Sequence, residues 1–63
     1  MSTLDNLQRK YGKSLLKKKE AAEELNISQA TLDRIRKNGD IVSKRIGGGI
    51  FFTINEISAF IDA

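Results

Sequence analysis

The chain contains no cysteine and no histidine. Without cysteine there is no disulfide, no thiolate nucleophile and no sulfur ligand for a metal. Without histidine the commonest general base and the other principal zinc ligand are missing. Carboxylates remain, and Glu20, Glu23 and Glu24 crowd together. Spacing puts them on one exposed helix with no partner ligands, so they do not make a metal or acid–base site. The expectation is a protein without catalytic activity, metal or cofactor. No apolar run approaches the ~20 residues needed to cross a bilayer, and the start has no hydrophobic segment of the signal-peptide kind. A cytoplasmic protein with no membrane partner is expected.

A chain of 63 residues makes one domain. At this size only about 60% of the unfolded surface is buried, so the core is small. The formal charge is +3, and its distribution is more informative. Residues 9–19 hold Arg9, Lys10, Lys13, Lys17, Lys18 and Lys19 without an acid. Residues 34–45 hold Arg34, Arg36, Lys37, Lys44 and Arg45 against Asp40 alone. Between them Glu20, Glu23, Glu24 and Asp33 stand without a base. Two basic bands suit phosphates. The acidic band must face away from them or meet a basic neighbour.

The most telling stretch is residues 28–39. Ser28 is a good N-cap and Gly39 a good left-handed terminator, which leaves a helix of about ten residues. At 100° per residue Leu32 and Ile35 form a narrow apolar stripe. Ala30, Asp33, Arg34 and Lys37 point away from it, with Gln29 and Arg36 on one edge and Thr31 and Asn38 on the other. Such a helix suits a DNA major groove, and equally an ordinary amphipathic surface helix. Upstream, Glu20 to Leu25 is helical by propensity, with Ala21, Ala22 and Leu25 on one face. Asn26 tolerates the left-handed conformation that closes a helix. Residues 18–37 therefore read helix, three-residue turn, helix, the helix-turn-helix spacing. The run Lys17-Lys18-Lys19 is either a solvated helix entry or a phosphate contact. It is poorly matched to a helix N-terminus, which prefers acids.

Two β-prone runs, Val42–Ile46 and Ile50–Thr53, flank Gly47-Gly48-Gly49 and predict a β-hairpin with a three-glycine tip. In that register Ile46 faces Ile50, Lys44 faces Phe52, and Arg45 and Phe51 share the other face. The tip lacks the Lys-Ser/Thr pair of a nucleotide loop. It is either a wing closely approaching a DNA backbone or a plain flexible turn. Thr53 to Glu56 fits a capping box, opening a last helix from Ile54 to about Asp62. The expected core is Leu16, Ala22, Leu25, Ile27, Leu32, Ile35, Ile41, Ile46, Ile50, Phe52, Ile54, Ile57, Phe60 and Ile61. Ser14, Leu15 and Leu16 form an extended entry. Residues 1–13 are either an unstructured basic arm or a short helix capped by Ser2 or Thr3, carrying Leu4, Leu7 and Tyr11 on one side and ended by Gly12.

The fold class expected is mostly α with a small β-hairpin, a winged helix-turn-helix over residues 14–63. Residues 15–61 resemble the excisionase-type, MerR-like DNA-binding domains, a group that includes phage excisionases and AlpA-like and BldC-like regulators. The resemblance rests on Leu15-Leu16, Glu20-Ala21-Ala22-Glu23, Leu25, Ile27-Ser28, Thr31-Leu32 and Arg34-Ile35. It continues through Lys37, Gly39, Ile41, Arg45-Ile46-Gly47-Gly48, Phe52, Glu56-Ile57 and Phe60. It implies that Ser28, Gln29, Ala30, Thr31, Arg34 and Lys37 sit at DNA, and that the wing touches a minor groove or the backbone. Gly49 and Phe51 depart from the family, which often has basic residues there. The tip amides of Gly47, Gly48 and Gly49, with Lys44 and Arg45 behind them, would carry the wing's contact. Arg36 stands where the family is often apolar. Asp33 is expected to orient Lys37 at i+4, or else to accept from a cytosine amino group.

The leading expectation is a sequence-specific double-stranded DNA-binding protein, either excisionase-like or a transcription regulator. Lys17, Lys18, Lys19, Arg36, Lys44 and Arg45 would contact phosphates. Arg34, Gln29 and Lys37 would read bases. Partners would be duplex DNA, further copies of itself as a dimer or head to tail, and an integrase or the transcription machinery. The competing expectation is a protein-interaction module using Phe51 and the acidic helix.

Overall fold

A computed structural model describes residues 2–63. Four helices and three short strands follow one another as α1 (Thr3–Tyr11), β1 (Leu15–Lys17), α2 (Lys18–Leu25), α3 (Gln29–Lys37), β2 (Lys44–Ile46), β3 (Gly49–Thr53) and α4 (Ile54–Asp62). The chain is mostly helical. The strands form one antiparallel sheet in the order β1-β3-β2.

The helix ends follow local chemistry. The Ser2 hydroxyl accepts the Asp5 amide at 3.1 Å, and Gly12 closes α1 at φ 65°. Ser28 accepts the Thr31 amide at the start of α3, and Thr53 accepts the Glu56 amide at the start of α4. Asn26 closes α2 in the left-handed region, where Ile27 donates to the Ala22 carbonyl. Gly39, at φ 85°, closes α3 the same way. The Gly39 amide bonds the Arg36 carbonyl and the Asp40 amide bonds the Ile35 carbonyl, the Schellman pattern. Ile41 follows at once into the core.

Two expectations about the sheet need correcting. The extended entry at Leu15–Leu16 is a third strand, pairing Leu16 with Phe52. The hairpin turn also has two residues rather than three. Ile46 pairs with Gly49, Arg45 with Ile50 and Lys44 with Phe51. Gly47 and Gly48 have φ of 55° and 87°, the two successive positive values of a type I′ turn. That turn matches the right-handed twist of the flanking strands, so it prevails over a wider loop. Gly49 then belongs to the strand, where the Phe51 ring covers it. A Cβ on Gly49 would lie 2.9 Å from that ring.

The core is Leu7, Leu16, Ala21, Ala22, Leu32, Ile41, Phe52, Ile54 and Ile57. Leu25, Ile27, Ile35, Ile50 and Phe60 pack half-buried around it, with Leu4 and Tyr11 of α1. Ile46 and Ile61, expected inside, are exposed. The slipped register turns Ile46 off the core face, and Ile61 lies near the end of α4. Leu7 and Ala21 join the core instead. Leu7 enters because α1 packs on α4, and the Thr3 hydroxyl donates to Asp62 at 2.8 Å across the same junction.

Phe52 is fully buried at the centre. Truncation to alanine in such a site costs about 3–5 kcal/mol, against a total of roughly 3–9 kcal/mol for a chain this size. Phe52→Ala is therefore expected to abolish the cooperative urea transition followed by circular dichroism. Val42→Ala, at a position 60% exposed, is expected to shift stability by no more than about 0.5 kcal/mol.

Candidate nucleic-acid interface

The outer surface of α3 follows from its sequence periodicity. Leu32 is buried and Ile35 half-buried against α2 and the core, so the opposite side is turned to solvent. Ser28, Gln29, Ala30, Arg34 and Lys37 are all exposed there, and Thr31 is half-buried. The Ser28 hydroxyl also donates to that of Thr31 at 2.9 Å, which orders the first turn.

Asp33 stands on the same outward side and has a different partner set from the one expected. It does not engage Lys37. One carboxylate oxygen accepts from Lys18 Nζ at 3.0 Å, and the other from Arg36 Nη2 at 3.2 Å. The Lys18 hydrogen bond, then the Arg36 one, holds the Asp33 carboxyl below the ordinary aspartate range. Lys18 comes from the first turn of α2, so this pair clamps the two helices of the helix-turn-helix together. It also draws in two cations expected at phosphates. The Arg36 side chain is only 19% exposed, and its Nε is buried without a partner among the described residues.

Three of the four acids of the acidic band meet basic neighbours within the chain, while Glu23 is exposed with no such partner among the described residues. Glu20 accepts from Lys13 Nζ at 2.8 Å and from the Lys17 amide at 2.9 Å. Glu24 accepts from Lys10 Nζ at 2.9 Å and from the Tyr11 hydroxyl at 2.8 Å. These contacts lower both carboxyls. Lys13 acts first on Glu20 and Lys10 first on Glu24, where partial burial opposes them. Burial, then the bond to Glu24, raises the Tyr11 hydroxyl. Glu20 and Glu24 thus fasten α1 and the following turn to α2.

The cations left over are the important set. Among the described residues Arg9, Lys17, Lys19, Arg34, Lys37, Lys44 and Arg45 have no carboxylate partner. All of them are exposed. The sheet register aligns Lys17, Phe51 and Lys44 as one rung across three strands, about 10 Å wide at ~4.8 Å per strand. Lys17 leads directly into α2, whose Lys18 reaches α3 through Asp33. Arg45 pairs with Ile50 and projects from the opposite side of the hairpin, away from the Lys17–Lys44 rung. Gly47 and Gly48 are exposed at the tip, beyond the rung, while Gly49 is half-buried under Phe51. The clamp at Asp33 was not anticipated from the sequence, because Lys18 lies fifteen residues away in another helix.

No helix is long and apolar enough to cross a membrane, and no cluster of potential metal ligands is found among the described residues. A family model described as a helix-turn-helix domain matches residues 15–63. No curated protein and no solved structure matches the chain.

The lowered carboxyls carry a pH dependence of stability. A group whose folded pKa lies below its unfolded value stabilises the fold above the ordinary carboxylate range and loses that effect as pH falls through the folded value. Thermal melts of the wild type are expected to weaken from neutral to acid pH. In Glu24→Gln the neutral-pH melt is lower and the drop on acidification smaller, because one of the responsible groups is gone.

Proposed function

Because the chain belongs to the helix-turn-helix domain family, whose members bind double-stranded DNA, we propose that it is a sequence-specific, non-catalytic DNA-binding protein with α3 as its recognition helix. The observation that carries this reading is the outward side of α3, where Gln29, Arg34 and Lys37 stand exposed with no acid paired to either cation among the described residues. A helix is about 10–12 Å across with its side chains, which fits a major groove about 12 Å wide, and the nine residues of α3 present about two and a half turns to it. Arg34 suits the O6 and N7 acceptors of guanine, and Gln29 the N6 and N7 edge of adenine. Lys37 extends the same surface.

Around this helix Lys17, Lys19 and Lys44 supply phosphate contacts that set register. The β2–β3 hairpin serves as the wing. Its tip amides, in the paired positive-φ conformation of Gly47 and Gly48, face a backbone without any side chain in the way. Arg45 lies on the other side of the wing and meets the strand only if the duplex curves around the hairpin. A single domain of this size covers a limited interface, roughly 600–1,000 Å² for comparable modules. Selectivity in a genome is then reached by several copies on repeated sites. Bent, multiply occupied DNA serves an excisionase-like role beside an integrase, and promoter occupancy serves a transcription regulator. A cytoplasmic location follows for either.

Fluorescence anisotropy with labelled duplexes tests the proposal. With Lys17, Lys19, Arg34, Lys37, Lys44 and Arg45 available, the fall of log affinity with log salt should have a slope of about 3–5 at ~0.9 per phosphate neutralised. Arg34→Ala should weaken binding to a selected site by about 1–3 kcal/mol, roughly 5- to 150-fold, and relax preference at one base pair. Lys37→Ala should weaken all duplexes alike. If a protein carrying both Arg34→Ala and Lys37→Ala stays folded and binds every duplex as the wild type does, the reading is wrong.

A further inference from the structure

Asp33 is out of place on a surface meant for phosphates. It sits among Gln29, Ala30, Arg34 and Lys37 on the outward side of α3, where a free carboxylate would repel the duplex. Its two oxygens are instead taken by Lys18, 30% exposed, and Arg36, 19% exposed. Both cations are drawn inward along the seam between α2 and α3. Both residues are half-buried, whereas Arg34 and Lys37 are exposed. The three side chains together carry one net positive charge where two free cations would otherwise stand.

We propose that Asp33 is a positioning residue that withholds Lys18 and Arg36 from the DNA backbone and so limits the sequence-independent part of the affinity. The proposal rests on the DNA-binding reading above. Its physical basis is that phosphate attraction favours every duplex equally. Capping it raises the share of binding that comes from base contacts and speeds release from unrelated DNA. Lys18 is the more releasable partner, because it is the more exposed and flexible of the two. Arg36 is held along its length, and its buried Nε lacks an acceptor, so a neighbouring carboxylate stabilises it in place.

The test is anisotropy on a mixed-sequence duplex and on a selected site, across about 50–200 mM salt, with four proteins: wild type, Asp33→Asn, Lys18→Met and the double variant. Asp33→Asn is expected to bind the mixed duplex several-fold tighter, with a salt slope steeper by about 0.9 for each cation released. Lys18→Met alone is expected to leave the slope unchanged, since that lysine is already withheld. In the double variant the slope should fall back by about 0.9 relative to Asp33→Asn.

A drop of about 0.9 in the slope of Lys18→Met alone would overturn the proposal, by showing that Lys18 already contacts phosphate. An equal gain from Asp33→Asn with and without Lys18 would also overturn it, leaving only relief of carboxylate repulsion. So would loss of affinity confined to the selected site, which would make Asp33 a base reader. If Asp33→Asn fails to fold, the slope of Lys18→Met alone decides. If the wild type binds no duplex at any salt, the DNA-binding reading itself fails, a result distinct from all of these.

Discussion

The pairing of Leu16 with Phe52 is the contact on which the rest of the structure depends. Both side chains are fully buried, and they face each other across the β1–β3 ladder. Each contributes about 1.5–3 kcal/mol by leaving water, a large share in a domain whose core is limited by its size. The pair also fixes geometry. β1 runs directly into α2 and β3 directly into α4, so joining the strands sets where both helices begin. The Ile54 amide bonds the Ser14 carbonyl one step beyond the ladder and secures the junction. With α2 placed, the left-handed closure at Asn26 and the Ser28 cap determine how α3 departs. α3 then buries Leu32 and turns Arg34 and Lys37 outward.

Charge disposal follows the same scaffold. A small protein with a net charge of +3 has little potential to spare, yet it presents a concentrated basic surface. Three of its acids are taken up at junctions between elements: Glu24 fastens α1, Glu20 holds Lys13 of the turn after it, and Asp33 fastens α2 to α3. Exposed ion pairs contribute little to stability individually. Their larger effect is on placement: three carboxylates are occupied at junctions between elements, while the cations of β2, β1, the α2 entry and the outer side of α3 stay exposed with no acid partner among the described residues. Phe51 has a structural task within that surface, its ring covering Gly49 between the Lys17 and Lys44 positions.

Much of the fold was legible in the sequence because it is decided by neighbours in the chain. Ser28, Gly39, Asn26, Thr53, Ser2 and Gly12 act through bonds or backbone angles within a turn of helix, and each stands at the helix end its chemistry predicts. The apolar stripe of α3 and the outward set of Gln29, Ala30, Arg34 and Lys37 follow from a period of 3.6 residues. The hairpin was legible in kind but not in register. Three consecutive glycines permit several turns, and the strand twist selects the two-residue one.

What the sequence by itself determined is therefore the order of α2, α3, the β2–β3 hairpin and α4, the caps at Asn26, Ser28, Gly39 and Thr53, and which residues of α3 face outward, since these depend on interactions over three or four residues. Only the tertiary structure decided that Leu15–Lys17 is a strand, that Leu7 joins the core while Ile46 and Ile61 do not, and that Asp33 holds Lys18 and Arg36 rather than Lys37. The reason is that a short strand has no stability until its partner is present, and a charged side chain has several oppositely charged candidates within reach of a flexible stem. Which candidate it meets is set by how α2 and α3 pack, and that packing is specified by buried side chains far from the charges themselves.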